Sequence, residues 1–403
     1  MPALPDTPIA PLAIYVHWPF CLSKCPYCDF NSHVRDRIDE TAWADALCRE
    51  LTHYRGLSGP RQVTSVFFGG GTPSLMAATT TERVLTTIAQ LWTVDPAVEI
   101  TLEANPTSVE AQKFKDFSAA GINRVSLGIQ ALQDEDLKAL GREHSVSEAL
   151  DAIALSQKYF TRSSFDLIYA RMGQSLTAWE TELKQALALV DDSNIAGHLS
   201  LYQLTIERGT SFYHAHKKGR LILPEEDVAA DMYDLTQQIC NAHGLPAYEV
   251  SNHARPGEES RHNLAYWTYR DYIGVGPGAH GRLTIEGELY ALTQDRSPEK
   301  WLKNVAAAGH ATDQKEALSA QMKAEEMIMM GLRLNRGIAL DAFEKRVGQK
   351  IDKFIDSQYL ERLFELDYME KAAYQPAAQA QAHLRVTAQG MPLLNGLLGR
   401  LLA

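Results

Sequence analysis

The chain has 403 residues, of which 45% are hydrophobic and 22% charged, with a net charge of -11. At about 100 to 200 residues per domain this is room for two or three domains, or for one large α/β barrel with an appendage. The balance excludes a disordered chain, and the negative charge argues against a partner bound through its phosphate backbone, so nucleic acid is not expected as a partner.

Short β-rich runs alternate with amphipathic helical runs along the first two-thirds of the chain. Strands are predicted over 12–17, 65–71, 98–105, 124–130, 163–169, 197–204 and 246–253. Helices are predicted over 40–54, 80–92, 109–121 and 145–160, where apolar residues recur every three or four positions. Alternation of this kind builds right-handed βαβ units on a parallel sheet. Repeated this often, it predicts a partial or full (β/α) barrel over 1–295, whose chemistry would gather at the C-terminal strand ends. Those ends carry a cysteine loop after the first strand, "GGGTPS" after the second, Glu103 and Asn105 on the third, Gln130 ending the fourth and Asp166 in the fifth. Together they predict a polar ligand lying across the barrel mouth.

Past residue 295 the pattern changes to helices in "SAQMKAEEMIMMGLRL", "ALDAFEKRVG" and "KFIDSQYLERLFEL", a strand pair in "YMEK" and "AHLRVT", and a last helix in "GMPLLNGLLGRLL". This predicts a helical, winged-helix-like domain over 296–403. With 13 Lys plus Arg against 12 Asp plus Glu between 301 and 403 it is close to neutral, which favours packing or partner docking over reading DNA.

The chain has five cysteines, and three of them, Cys21, Cys25 and Cys28, stand in the stretch "YVHWPFCLSKCPYCDFNSH". An odd, clustered set is not a disulfide framework and points to a reducing compartment where thiols serve metals or catalysis. Cys48 and Cys240 sit in helical patterns and are expected to pack as small apolar residues. The first fourteen residues lack a basic signal or transit pattern, and no apolar run reaches the roughly 20 residues of a membrane span, so a cytoplasmic location is expected. Three thiolates on C-x3-C-x2-C suit a [4Fe-4S] cluster that keeps one iron open. A Cys3His zinc site completed by His33 and a Cys25/Cys28 redox pair are the alternatives, though the pair would leave Cys21 unexplained. "GPGAHG", 276–281, fits G-x-G-x-x-G, yet Pro277 and the lack of a following helix deny it a dinucleotide-binding context, and "GGGTPS" lacks the lysine of a P-loop.

The cysteine spacing followed by "GGGTP" resembles the radical S-adenosylmethionine (SAM) superfamily. "FFGGGTPS", "LEANP", "SLGIQ", "LGREH", "FDLIY", "RHNLAYW" and "GVGPGAHG" extend the resemblance, over essentially the whole chain, to the oxygen-independent coproporphyrinogen III oxidase-like family and its heme chaperone branch. The resemblance implies a [4Fe-4S] cluster on Cys21, Cys25 and Cys28, with SAM on the open iron. It implies a SAM pocket of Tyr15, Gly70, Gly71, Thr72, Glu103, Gln130, Arg142 and Asp166, and His262 of "HNLAYW" as a heme ligand. The dehydrogenases of the family resemble C-x3-C-x2-C-x-C with a longer N-terminal extension, whereas this chain has Phe30 at the further cysteine's place. The implied function is therefore a heme chaperone that binds heme and passes it to acceptor proteins, including respiratory cytochromes at the membrane, with an electron donor for the cluster. Radical oxidative decarboxylation of coproporphyrinogen III in porphyrin biosynthesis is the alternative, a zinc-stabilised barrel a third, and a homodimer is left open. Where relatives read "DLIYGLPGQ" this chain has "DLIYARMGQ", with Arg171 and Met172 in a tight turn whose shape is thereby in question.

Overall fold

The structure is a computed structural model that describes residues 9–35, 37–191, 196–374 and 381–402. Its largest element is an 11-stranded sheet. In chain order the strands are β1 (Pro11–Trp18), β2 (Gln62–Gly70), β3 (Thr93–Ala104), β4 (Arg124–Gln130), β5 (Arg162–Tyr169), β6 (Ala196–Gln203), β7 (Asn252–Ala254), β8 (Tyr272–Val275), β9 (His280–Ile285), β10 (Glu288–Gln294) and β11 (Thr312–Ala317). The spatial order is β11-β10-β9-β8-β1-β2-β3-β4-β5-β6-β7. From β8 through β6 every neighbouring pair is parallel, and the pairs outside that run are antiparallel. The two edges, β7 and β11, do not pair with each other, so the expected barrel is a partial one.

Six of the seven expected strands form where the sequence places them. The exception is 246–253, predicted as a further strand of the parallel series, which supplies only bends and the three-residue antiparallel β7. The seventh parallel strand is β8, which returns beside β1 and was not predicted. Pro246 removes a ladder donor from the first stretch, whereas β8 is short and runs straight into a glycine turn that hides it.

Each parallel strand divides its side chains by the period of two. Leu12, Ile14, Val16 and Trp18 of β1, with Val66, Phe68, Leu102, Val125, Leu127, Phe165, Leu167, Leu199 and Leu201, are buried in the main apolar core. Each large side chain so buried stabilises the fold by about 1.5–3 kcal/mol relative to exposure. Alternate positions carry the reverse chemistry: Tyr15, His17, Ser65, Glu99, Thr101, Glu103, Arg124, Ser126, Ser164, Asp166, His198 and Ser200. Register keeps this polar set together, with Ser65 beside Glu99, Glu103 beside Ser126, and Asp166 beside Ser200. The sheet therefore has an apolar face against helices and a polar inner face.

The helices outside the sheet are capped by their own sequence. Ser145 and Glu148 form a reciprocal capping box at the start of the helix Val146–Tyr159. Cys240 is fully buried and Cys48 partly buried on helices, as expected, and all five cysteines are free. Trp301, Val305 and Ala311 join the main core, and β11 pairs with β10. A second core takes in Leu318 and the residues after it, with Tyr269 and Leu289 of the first region. The expected division at 295/296 thus falls before a helix, Pro298–Ala308, and a strand that both pack with the barrel. The C-terminal part has the expected helices Ala320–Gly331, Leu340–Val347, Ser357–Glu365 and Leu394–Leu401, and a hairpin of Met369–Tyr374 with Gln381–Val386.

The turn "ARMG" keeps its shape by a buried pin. Ala170 takes a left-handed φ of 55° and Gly173 one of 69°. Arg171, 4% exposed, reaches Glu182 Oε2 and Asp136 Oδ2, each at 2.7 Å, and donates to Ile168 O at 2.5 Å.

Candidate functional site

The cysteine loop is closed at its base by a two-residue parallel pairing of Phe20–Cys21 with His33–Val34. The strand end of β2 lies directly beneath it. Gly71 N donates to Trp18 O at 2.7 Å and Thr72 N to Phe20 O at 2.8 Å. A Cβ on Gly71 would lie 2.7 Å from Phe20 O and 3.0 Å from Cys21 Sγ, so only glycine lets the two segments touch. Gly70 takes φ 117° and packs on the His17 ring.

Two of the three thiols receive donors from residues that the family resemblance implies for the SAM pocket. Thr72 Oγ1 donates to Cys21 Sγ at 3.4 Å, and Arg142 Nη1 to Cys25 Sγ at 3.4 Å. Arg142 Nη2 also donates to Asn105 Oδ1 at 2.7 Å and Gly128 O at 2.8 Å. Asn105 in turn donates to Thr72 Oγ1 at 3.2 Å and is held from below by Glu110. Burial pushes the Cys21 and Cys28 thiols up, and the neighbouring cysteines add to this. Among the described residues no three His, Cys, Asp or Glu side chains converge on one metal ion. His33, the fourth ligand of the alternative zinc site, turns Nε2 to Asn31 Oδ1 at 3.2 Å.

Around the mouth stand Tyr15, Glu103, Gln130 and Asp166. Glu103 accepts the Gly70 N–H at 3.2 Å; burial, then the charge of Asp166, pushes its carboxyl up to about 8. Burial pushes Asp166 up to about 6. Gln130 takes φ 74°, a left-handed conformation that costs a non-glycine residue about 1–2 kcal/mol. Three buried polar atoms here have no partner among the described residues: Gln130 Oε1, Asp166 Oδ1 and Arg142 Nε. Orphaned buried groups call for a ligand or water. Two acceptors, one guanidinium donor, two buried carboxyls that form no close ion pair among the described residues, with Arg124 and Arg142 acting on them only at longer range, and a glycine cradle fit a ligand with hydroxyl, ammonium and carboxylate groups. That is the inventory of SAM.

His262 lies deeper, on the helix Arg261–Trp267 that crosses the inner face. It is 1% exposed, stacked on Phe67 with centroids 5.0 Å apart. Its Nδ1 meets Ser65 Oγ at 3.0 Å and its Nε2 meets Tyr266 OH at 2.8 Å. Burial lowers its pKa to about 3, so the ring is neutral. The structure thus brings the three cysteines, Gly70, Gly71, Thr72, Glu103, Gln130, Arg142 and Asp166 to one mouth, and sets His262 apart below Tyr15 with both nitrogens engaged.

Three supporting residues escaped the sequence reading. Asn31 donates from Nδ2 to Pro277 O and Arg296 O and accepts the His17 ring contact at its backbone oxygen, tying the cysteine loop to "GPGAHG". Glu110 holds Asn105 and Ser74. Glu50, fully buried, accepts Gly276 N, Ala311 N and Trp301 Nε1. Gly276 must be glycine, since a Cβ would sit 2.3 Å from His17 O. The turn is followed by the strand β9, so it has no nucleotide-binding helix.

Comparison with known proteins agrees with this geometry. The Radical SAM superfamily model matches residues 15–184, and the HemN C-terminal domain model matches 318–393. "Radical S-adenosyl methionine domain-containing protein 1, mitochondrial" of Danio rerio is 40% identical over 82% of this chain and 75% of its own length. "Heme chaperone HemW" of Escherichia coli is 36% identical over 81% of this chain and 83% of its own. The solved coproporphyrinogen III oxidase (HemN) of Escherichia coli superposes with a TM-score of 0.78 over 98% of this chain and 91% of that one, at 21% identity, which shows the shared fold. Among the described residues no helix is long and apolar enough to cross a membrane. With relatives of this identity and coverage, the chain belongs to the radical SAM superfamily, in the family of the HemW heme chaperones and radical S-adenosyl methionine domain-containing protein 1.

Proposed function

We propose that this chain is a heme chaperone that holds a [4Fe-4S] cluster and SAM at the barrel mouth and passes heme to acceptor proteins, respiratory cytochromes among them. The observation that carries the reading is the cysteine loop itself. Three thiols share a mouth with unpartnered Gln130, Asp166 and Arg142 atoms, and Phe30, at the place of a further cysteine in the dehydrogenases, is 58% exposed. The relatives named as heme chaperones support the heme half of the reading. A cluster with one open iron and SAM supplies one-electron chemistry when bound. The residues here hold and orient: Cys21, Cys25 and Cys28 the cluster, Gly70, Gly71 and Thr72 the methionine end, Glu103 and Asp166 ammonium or ribose groups, and Arg142 a carboxylate. Tyr15 closes the inner side.

The raised carboxyls give this arrangement a proton signature. In the free chain Glu103 binds its proton more tightly folded than unfolded, so its contribution to stability is full below about 4.5 and lost as pH rises towards 8. A cationic group beside it restores the carboxylate. SAM binding at pH 7 is therefore expected to release a proton to buffer, and at pH 9 to release none from Glu103. Calorimetry in two buffers of different ionisation enthalpy measures this; equal heats at pH 7 would contradict the placement of Glu103.

His262 is proposed as the heme ligand, and its hydrogen bonds set a condition. Nε2 reaches iron only after leaving Tyr266 OH. Tyr266→Phe removes that competitor and is expected to tighten heme binding several-fold, whereas His262→Ala is expected to abolish the low-spin heme absorption band. If His262→Ala binds heme with an unaltered spectrum, another residue is the ligand.

A further inference from the structure

Outside the barrel, the two facing helices of the C-terminal domain enclose an open groove of ≈ 590 Å³. On Ser357–Glu365 the groove is walled by Tyr359, Arg362, Leu363 and, just past the helix end, Leu366, which follow i, i+3, i+4 and i+7. On Leu394–Leu401 the same spacing recurs in Gly396, Leu397 and Arg400 with Leu393, just before the helix start. Each wall is thus one apolar helical stripe with a single cation on it. Leu366 and Leu393, one on each wall, keep 45% and 47% exposure.

The charges are one-sided. Arg362 and Arg400 are the charged residues lining the groove, and among the described residues neither has a carboxylate within 4.0 Å. Arg400 instead lies over the Tyr359 ring, 5.8 Å from its centroid. Arginine pairs with carboxylates through a planar fork, so two guanidinium groups that form no ion pair among the described residues, set beside apolar walls, favour an acidic, amphipathic occupant. An open trough between two helices, rather than an enclosed pocket, has the shape that receives a third helix. Gly396 is exposed on the trough wall, and a Cβ there would meet nothing within 4 Å, so a larger side chain would enter open space.

We propose that this groove docks an amphipathic helix of a partner protein, with apolar anchors at i, i+3, i+4 and i+7 and flanking carboxylates that pair with Arg362 and Arg400. The proposal does not depend on the heme reading. It gives the nearly neutral C-terminal domain a recognition role that the barrel mouth does not need.

The test uses the full chain and two fluorescein-labelled synthetic helices with leucines at those positions, one flanked by glutamates and one by lysines, read by fluorescence anisotropy. The acidic helix is expected to bind, more weakly as salt rises, and about tenfold or more tighter than the basic one. Gly396→Trp fills open space and is expected to weaken it about tenfold or more with the melting temperature kept. The double variant R362E/R400E is expected to reverse the preference towards the basic helix, which keeps the test decisive if Gly396→Trp fails to fold. No binding of the acidic helix, or binding that neither variant alters, overturns the proposal. So does a wild-type dimer that Gly396→Trp makes monomeric, which would assign the groove to a second copy, or binding of duplex DNA or hemin that R362E/R400E abolishes.

Discussion

An alanine in place of Gly71 is expected to prevent assembly of the iron-sulfur cluster while the chain still folds. The added Cβ would lie 2.7 Å from Phe20 O and 3.0 Å from Cys21 Sγ. Phe20 cannot retreat freely, because its carbonyl takes the Thr72 N–H and its segment pairs with His33–Val34. Movement must therefore displace Cys21 from its place opposite Cys25 and Cys28. Supporting groups of metal sites are worth about 10- to 100-fold in affinity, and a shifted ligand should cost at least that. Iron and acid-labile sulfide measured after anaerobic reconstitution should fall about tenfold or more, approaching the Cys25→Ala variant. A wild-type iron content in Gly71→Ala would show that the β2 turn does not set the cysteine geometry.

The second large effect lies away from the mouth. Arg171→Ala removes the cation from Glu182, a carboxylate 4% exposed that also accepts Leu132 N at 2.7 Å and Gln174 Nε2 at 3.1 Å. Stranding one partner of a buried pair costs about 3–5 kcal/mol, and for a chain of this length a fall in melting temperature of roughly 4–6 °C is expected. The double variant R171M/E182Q, which leaves no buried charge unpaired, should recover much of the loss. If Arg171→Ala alone melts within about 2 °C of wild type, the turn "ARMG" does not depend on this pin.

The first six strands were legible because each is a compact β-rich run bounded by turn residues, and because polar residues recur at their C-terminal ends. The site followed from those ends: glycines where backbones must touch, carboxylates where a cation would lie, cysteines in a loop between strand and helix. Arg142 is different. It stands past β4 in "ALGREH", and only the family resemblance pointed to it; the fold brings it to Cys25 because the following loop turns back onto Pro26 at Gly141. Asn31 and Glu50 were illegible for a related reason. Their partners, Pro277, Arg296, Gly276 and Trp301, are more than 200 residues away in the chain, and nothing local distinguishes them from ordinary surface polar residues. β8 was missed because its four residues pass into a glycine turn, and its pairing with β1 is set by tertiary closure rather than by local propensity.

His262 shows the limit of reading a motif by residue type. "HNLAYW" places an imidazole next to aromatics, which reads as an iron ligand flanked by rings. The fold adds Ser65 on one nitrogen and Tyr266 on the other, so the ligand role requires the helix Arg261–Trp267 to release Nε2. Both ends of the Nε2 contact lie on that helix, so under the proposed heme role Nε2 would be freed by a turn of the Tyr266 side chain or of the imidazole itself.

The central claim is that the barrel handles heme rather than decarboxylating a porphyrinogen. Its most direct test is anaerobic reconstitution of the full chain with iron and sulfide, followed by parallel assays with SAM present, one titrating heme and one supplying coproporphyrinogen III and a reductant. The account predicts stoichiometric heme binding, transfer of that heme to an apo-cytochrome, and no protoporphyrinogen IX. Conversion of coproporphyrinogen III to protoporphyrinogen IX by the reconstituted chain would contradict it.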